Sequence, residues 1–156
     1  MHKSSLPSAT FNSTLYAHIR DVLLSARAYT RKTINNSMLQ AYWQIGRLIV
    51  EDEQGGLTRA EYGKGVLESL SVRLSEEFGK GFDARNLRNM RAFFLFYPNW
   101  NAVRTNLTWT HYRLLLKVEN SEVREWYAQE AIEQGWSSRV LDRQISTLFY
   151  ERLLSS

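Results

Sequence analysis

Between Glu76 and Phe94 the chain reads EEFGKGFDARNLRNMRAFF, and its cations fall at spacings suited to a polyanion. On a helix advancing about 100° per residue, Arg85, Arg88, Asn89 and Ala92 share one face, with Arg91 at its flank. Leu87, Met90, Phe94 and Tyr97 lie opposite. Arginine neutralises phosphate, and Arg or Asn also forms paired hydrogen bonds to guanine or adenine edges in a major groove. Ala92, lacking a long side chain, would admit a close approach. Before this helix, Gly79-Lys80-Gly81-Phe82 supplies two flexible positions, a cation and an apolar anchor. Amides at the helix start suit a phosphate, in competition with Asp83, whose carboxylate is placed to cap them. The plainer reading of the same pattern is a solvated arginine face paired with the acidic helix before it. A second, weaker surface comes from Arg139, Arg143, Ser146 and Tyr150, which share a face near the C-terminus.

Reactive constellations are missing from the sequence. With no cysteine, disulfides, thiolate metal sites and cysteine nucleophiles are excluded. His2, His18 and His111 are far apart without ligand spacing, and His111, between Trp109 and Tyr112, reads first as a packing or capping residue. Gly63-Lys64-Gly65 and Gly79-Lys80-Gly81 lack the spacing and the Lys-Ser/Thr ending of a phosphate loop. Glu51-Asp52-Glu53 reads as a charged helix end beside a glycine turn. No Glu-x-Lys occurs, so the metal-nuclease pattern of that type is absent. We therefore expect no catalytic residues, no metal and no cofactor in this chain.

The 156 residues, 44% hydrophobic and 13% aromatic, argue for a packed domain rather than a disordered chain. No apolar run reaches the ~18 residues that suggest a membrane span, and no signal-peptide core follows Met1, so the expectation is a cytoplasmic protein with no membrane partner. The formal net charge of +4 is unevenly spread. Residues 79–117 hold seven Lys/Arg against Asp83 alone, whereas residues 51–78 hold three against seven acids. Clustered positive charge of this kind attracts phosphate and steers association.

The elements that must position these residues are helices. Residues 1–12 are polar, contain Pro7 and read as a flexible tail. Leu15, Ile19, Val22, Leu23 and Ala26 predict a helix over about 13–30; Ile34, Met38, Tyr42, Ile45 and Ile49 predict a second over about 33–54, stopped by Gly55-Gly56. The pair reads as a helical hairpin, residues 13–56. A third helix is expected over about 65–78, and a fourth from an Asp83 cap to about Tyr97, before Pro98. Thr108 opens a fifth through Lys117, Asn120 or Ser121 a sixth to Gln134, and Ser137 a seventh running toward Leu154. The fold class is all-α, about seven helices, with the hairpin packed on a helix-turn-helix-containing bundle over 57–156, and hairpin and bundle forming one compact domain. YERLLSS carries no stop signal, which leads us to expect a longer parent chain. Trp100, in a polar loop, is the tryptophan expected to be exposed.

AYWQIGRLIVEDEQGG (41–56), RAEYGKGVLESLS (59–71), EEFGKGFDARNLRNMRAFFLFYP (76–98) and LTWTHYRLLLKVENSEVREWYAQEAIEQGWSSRVLDRQISTLFYERL (107–153) resemble the N-terminal domain of the bacterial YhcG-type family. That resemblance covers nearly everything from residue 15 onward. It implies a helical, substrate-engaging half of a nuclease whose PDDEXK catalytic domain lies further along the chain, acting on DNA. A looser similarity runs to the ParB/KorB-type helix-turn-helix module. LTWTHYRLLL (107–116) and GWSSRVLDRQI (135–145) stand where that module starts its later helices, and His111, Arg113, Ser137 and Arg139 are the matching residues. Trp136 and the Leu141-Asp142 pair depart from its pattern.

The expectation is thus a non-catalytic, DNA-binding helix-turn-helix domain with Asp83–Tyr97 as recognition helix. Its contacts are Lys80, Arg85, Arg88, Asn89 and Arg91, extended to His111, Arg113, Arg139 and Arg143. The partners are DNA, chiefly through its phosphates, and the C-terminal nuclease domain. The competing expectation is an interaction or dimerisation module in which the hairpin pairs with a copy of itself or with the nuclease domain.

Overall fold

A computed structural model describes the backbone of residues 5–55 and 59–155 and the side chains of 13–55 and 65–155. All regular structure among them is helical. α1 spans Ser5–Glu53, α2 Arg59–Phe78, α3 Ala84–Phe96, α4 Trp109–Leu115, α5 Ser121–Gln134, α6 Ser138–Ser146 and α7 Phe149–Leu154, with a short 3-10 turn at Trp100–Ala102. No described helix is long and apolar enough to cross a membrane.

The expected hairpin over 13–56 is one continuous helix. Nothing between Thr30 and Thr33 breaks it: Arg31 and Lys32 are good helix formers, and Thr30 Oγ1 donates back to the Ala26 carbonyl at 2.9 Å. What reads as two helices is a change of face. The stripe from Leu15 to Ala26 and the stripe from Ile34 to Ile49 lie roughly 120° apart around a single helix. The second stripe turns toward the body of the protein; from Ser13 to Ile34 every residue is exposed. The tail expected over 1–12 is helical from Ser5 onward, and Pro7 falls in the first turn, where no N–H donor is needed. Residues 1–4, Gly56 and the expected boundary at 57 lie outside the described residues.

The C-terminal half of α1 lies along α3. At Gly46 the helices meet without a side chain between them: a Cβ there would stand 2.0 Å from the Met90 carbonyl oxygen and 2.7 Å from its carbon. Trp43 Nε1 donates to the Tyr97 carbonyl at 2.7 Å, and its ring meets Phe94 edge-on at 5.2 Å. Trp100, expected to be exposed, is half-buried 5.8 Å from Trp43. Asn35 Nδ2 donates to the carbonyls of Thr105 and Leu107 at 3.1 and 2.9 Å, satisfying a loop that has no helix to do so. α2 joins through Leu67, which packs with Ile49, Leu87 and Met90.

The caps stand where their residue types predict. Thr108, Asn120 and Ser137 each accept backbone N–H bonds at the starts of α4, α5 and α6, and Gly135 closes α5 at φ 65°. The last helix differs: the chain turns at Thr147, Leu148 adopts a left-handed φ of 56°, and α7 begins anew. Arg152 Nε donates to the Thr147 carbonyl at 2.9 Å, and the Tyr127 hydroxyl accepts from the Tyr150 N–H at 3.2 Å. The break brings the Phe149 and Tyr150 rings to 5.8 and 5.0 Å from Trp126. Ring burial offsets a left-handed leucine, a conformation that costs about 1–3 kcal/mol. The main core gathers Leu39, Phe93, Tyr112, Leu115, Tyr127 and Leu141.

Two outcomes follow from this packing. Gly46→Ala should destabilise the fold by about 3 kcal/mol, because the new methyl meets backbone that cannot rotate away. Gly65→Ala, with open space around its Cβ position, should instead stabilise α2 by about 0.5–1 kcal/mol, both read by thermal melting. Burial also pushes the phenols of Tyr42, Tyr97, Tyr112 and Tyr127 above their ordinary 10.0, Tyr112 furthest. The fold favours their neutral forms, so this contribution is intact below about pH 10 and is lost as pH rises past it. The tyrosinate absorbance that belongs to these four residues should therefore appear together with loss of helix, not ahead of it.

Candidate nucleic-acid interface

The turn between α2 and α3 is set by two glycines and one asparagine. Gly79 and Gly81 take φ of 81° and 101°, which a side chain would resist. Asp83 caps α3, accepting from the Asn86 N–H at 2.7 Å, so one of the amides suited to a phosphate is already engaged. Asn86, buried, then ties three elements together. Its Nδ2 donates to the Gly81 carbonyl at 2.6 Å, and its Oδ1 accepts from Trp109 Nε1 at 3.1 Å. Trp109 is the first residue of α4, so the turn, α3 and α4 are locked to one side chain.

That lock opens a groove of about 710 Å³ between α3 and α4. α3 contributes Arg85, Asn89 and Ala92; α4 and its end contribute Thr110, Arg113 and Lys117. α4 buries Tyr112 and Leu115, which turns Thr110, Arg113 and Lys117 outward at three-and-four spacing. Arg85, Arg113 and Lys117 are exposed and have no ion-pair partner among the described residues. Among the described residues Asp83 is the one carboxylate on the lining, and its Oδ1 is held in the cap. Ala92 and Thr110 keep long side chains out of the middle.

The expected contact residues divide. Arg85, Asn89 and Arg113 line the groove; Lys80 is exposed in the turn beside it. Arg88 is exposed on the same helix and reaches Glu68 of α2 at 3.5 Å, with both side chains about half exposed, a pair weak enough to give way to phosphate. Arg91 faces the other way. It holds Glu53 of α1 through two bonds, 2.8 and 2.5 Å, with only 21% and 16% of the two side chains exposed. His111 is turned into the fold: Nδ1 accepts from the Thr108 N–H at 3.2 Å and Nε2 lies 2.9 Å from the Trp136 carbonyl. Accepting at Nδ1 leaves Nε2 to donate, so the ring joins two helix starts and offers nothing to a ligand. Arg139 and Arg143 are exposed on α6, outside the groove. Lys117, Thr110 and the Asn86 hub were missed from sequence; Lys117 was legible as the residue four past Arg113 on the same face.

Residues 18–152 match the DUF1016 N-terminal domain, and the chain belongs to that family. A protein of Escherichia coli (strain K12) described as "Putative nuclease YhcG" is 36% identical over 177 residues, covering 90% of this chain and 47% of its own length. The chain thus spans about half the length of that relative. No solved structure matches it.

Assigning Arg91 to the fold has a measurable consequence. Arg91→Ala should lower stability by about 1–3 kcal/mol, since Glu53 loses both charged bonds in a half-buried site. Arg91→Lys should recover only part of it, because a point charge cannot reproduce the two-bond fork. Arg85→Ala should leave the melting temperature within the range of an exposed substitution, about ±0.5 kcal/mol.

Proposed function

We propose that this chain is the DNA-engaging, non-catalytic part of a nuclease, with α2 and α3 forming a helix-turn-helix and α3 its recognition helix. The observation that carries the reading is the groove: three unpaired cations on two helices locked by Asn86, with small residues between them. Arg113 and Lys117 neutralise phosphates from one wall while Arg85 and Asn89, on the other, reach base edges or the opposite strand. Arg88 and Lys80 extend the positive rim, and Arg139 and Arg143 meet the backbone further out. The family relationship supports the setting, since the Escherichia coli relative carries the word nuclease in its description and extends well beyond the matched region. Cutting is assigned to a catalytic domain elsewhere in the full protein, because the groove holds cations and amides and no acidic cluster. Among the described residues no three His, Asp or Glu side chains gather as metal ligands.

Binding measured against duplex, branched and single-stranded DNA across a salt series tests this. Affinity should fall steeply with salt, by a logarithmic slope of about 0.9 per phosphate neutralised. The Arg85→Ala, Arg113→Ala, Lys117→Ala variant should lose binding at about 50 mM salt and drop the slope by about three units while its helical signal persists. Arg139→Ala with Arg143→Ala should cost less than the groove variant. Unchanged binding by the groove variant, or no binding by the wild type at that salt, overturns the reading.

A further inference from the structure

Among the described residues, the N-terminal part of α1 from Ser13 onward has no buried or half-buried position before Asn35. From Ser13 to Ile34 every residue is exposed, about 33 Å of helix at 1.5 Å per residue. An isolated helix of this length is marginal in water without a covered apolar face. Such a face is present. Leu15, Ile19, Leu23, Ile34 and Leu48 occupy an arc of roughly 100° along the whole of α1, and each is 47–64% exposed. The stripe thus continues from the free arm onto the part of α1 that belongs to the body. There it runs beside a second unfilled feature, a cleft of about 580 Å³ between α1 and α2, lined by Ile45, Leu48, Leu70 and Leu74 and rimmed by Glu51 and Asp52.

The charges of the two features are opposite. The arm carries Arg20, Arg27, Arg31 and Lys32 against Asp21 alone. The cleft end of α1 carries Glu51 and Asp52 on the rim against Arg47, which pairs with Glu51 at 2.9 Å in an exposed contact. A stripe of one azimuth with a basic half and an acidic half is self-complementary only when turned end for end.

We propose that two copies of this chain associate through antiparallel α1 helices, the arm of each lying along the stripe and acidic cleft of the other. A twofold axis near residue 36 of α1 sets Arg20 level with Asp52 of the other copy and makes both arm–cleft contacts equivalent, so one surface serves both partners. Parallel pairing would bring the two basic arms together and leave both clefts open. The pairing is independent of whether the groove binds DNA.

Sedimentation of the chain between about 1 and about 100 µM should show a monomer–dimer equilibrium. Ile19→Asp and Leu48→Asp should each weaken the dimer at least tenfold, with helical content and melting of the monomer retained because both side chains are exposed. Reversing the arm (Arg20→Glu, Arg27→Glu) or the rim (Glu51→Lys, Asp52→Lys) should weaken self-association in each variant alone. Mixing the two should restore a heterodimer, since each arm then meets a rim of opposite sign. A wild type that stays monomeric throughout, a dimer indifferent to Ile19→Asp, or a mixture that fails to recover overturns the proposal.

Discussion

Where α1 crosses α3, Gly46 lets the Met90 carbonyl come to a distance that no side chain would permit, and the rest of the structure is arranged around that contact. Backbone-to-backbone packing leaves little freedom to slide, because every neighbouring side chain is then in fixed register. The Trp43 bond to the Tyr97 carbonyl fixes one end of α3, and the Arg91–Glu53 fork fixes the side nearer its start. Once α3 is fixed, its first turn presents Asn86 at one place only, and Asn86 holds Trp109 and with it α4. The basic groove is therefore a consequence of a glycine on a different helix, which touches none of its lining residues.

The arginines show how environment sorts one residue type into several jobs. Arg124 is buried, lies 4.2 Å from the Phe96 ring centroid and donates to the Val118 carbonyl at 2.7 Å, so it satisfies the end of α4 from below. Arg104 bonds Glu125 and Gln129 of α5. Arg91 serves the α1–α3 contact. Part of the positive charge counted over 79–117 is thus committed to the fold. Those charges still contribute to the field that steers a polyanion, although screening at physiological salt confines exposed contributions to about 8 Å. Among the described residues, Arg85, Arg113 and Lys117 are left without an ion-pair partner, and Arg88 is held by a long exposed pair. A regional charge sum locates the surface; only geometry says which charges are available on it.

Much of the helical plan was legible because its signals are local. Asp83, Thr108, Asn120 and Ser137 cap through bonds to residues two or three positions on, and Gly135 stops α5 through its own φ. The opposed faces of α3 were legible for the same reason, although Phe93 rather than Phe94 is the more buried ring. What escaped depends on contacts distant in sequence. Gly46 resembles any helical glycine until Met90 is placed against it. Arg91 sits at the edge of the arginine face, and nothing local says that Glu53 will claim it. The split at Leu148 has no glycine or proline to announce it, since the compensation comes from Trp126 and Tyr127, more than twenty residues away. The hairpin is absent for an instructive reason: in sequence, a change of apolar face along one helix looks the same as a change of direction.

That change of face also explains why α1 is so long. A helix serving only to brace α3 could end near Asn35, where its last bonds to the loop at Thr105 and Leu107 are made. Instead it continues for about six more turns, from Ile34 back to Ser13, with its apolar stripe rotated away from α3, which removes the possibility of folding back on the same partner. If two α1 helices pair end for end about a point near residue 36, the two Gly46 contacts lie roughly 30 Å apart along the helix. The two grooves they support would then be held on one rigid spacer. Under the proposed DNA-engaging reading, two such grooves gain from effective concentration what each lacks in contact area, provided that the nucleic acid can reach both. The long helix is then both a brace and a ruler, and the rotation of its apolar face is what allows it to be both.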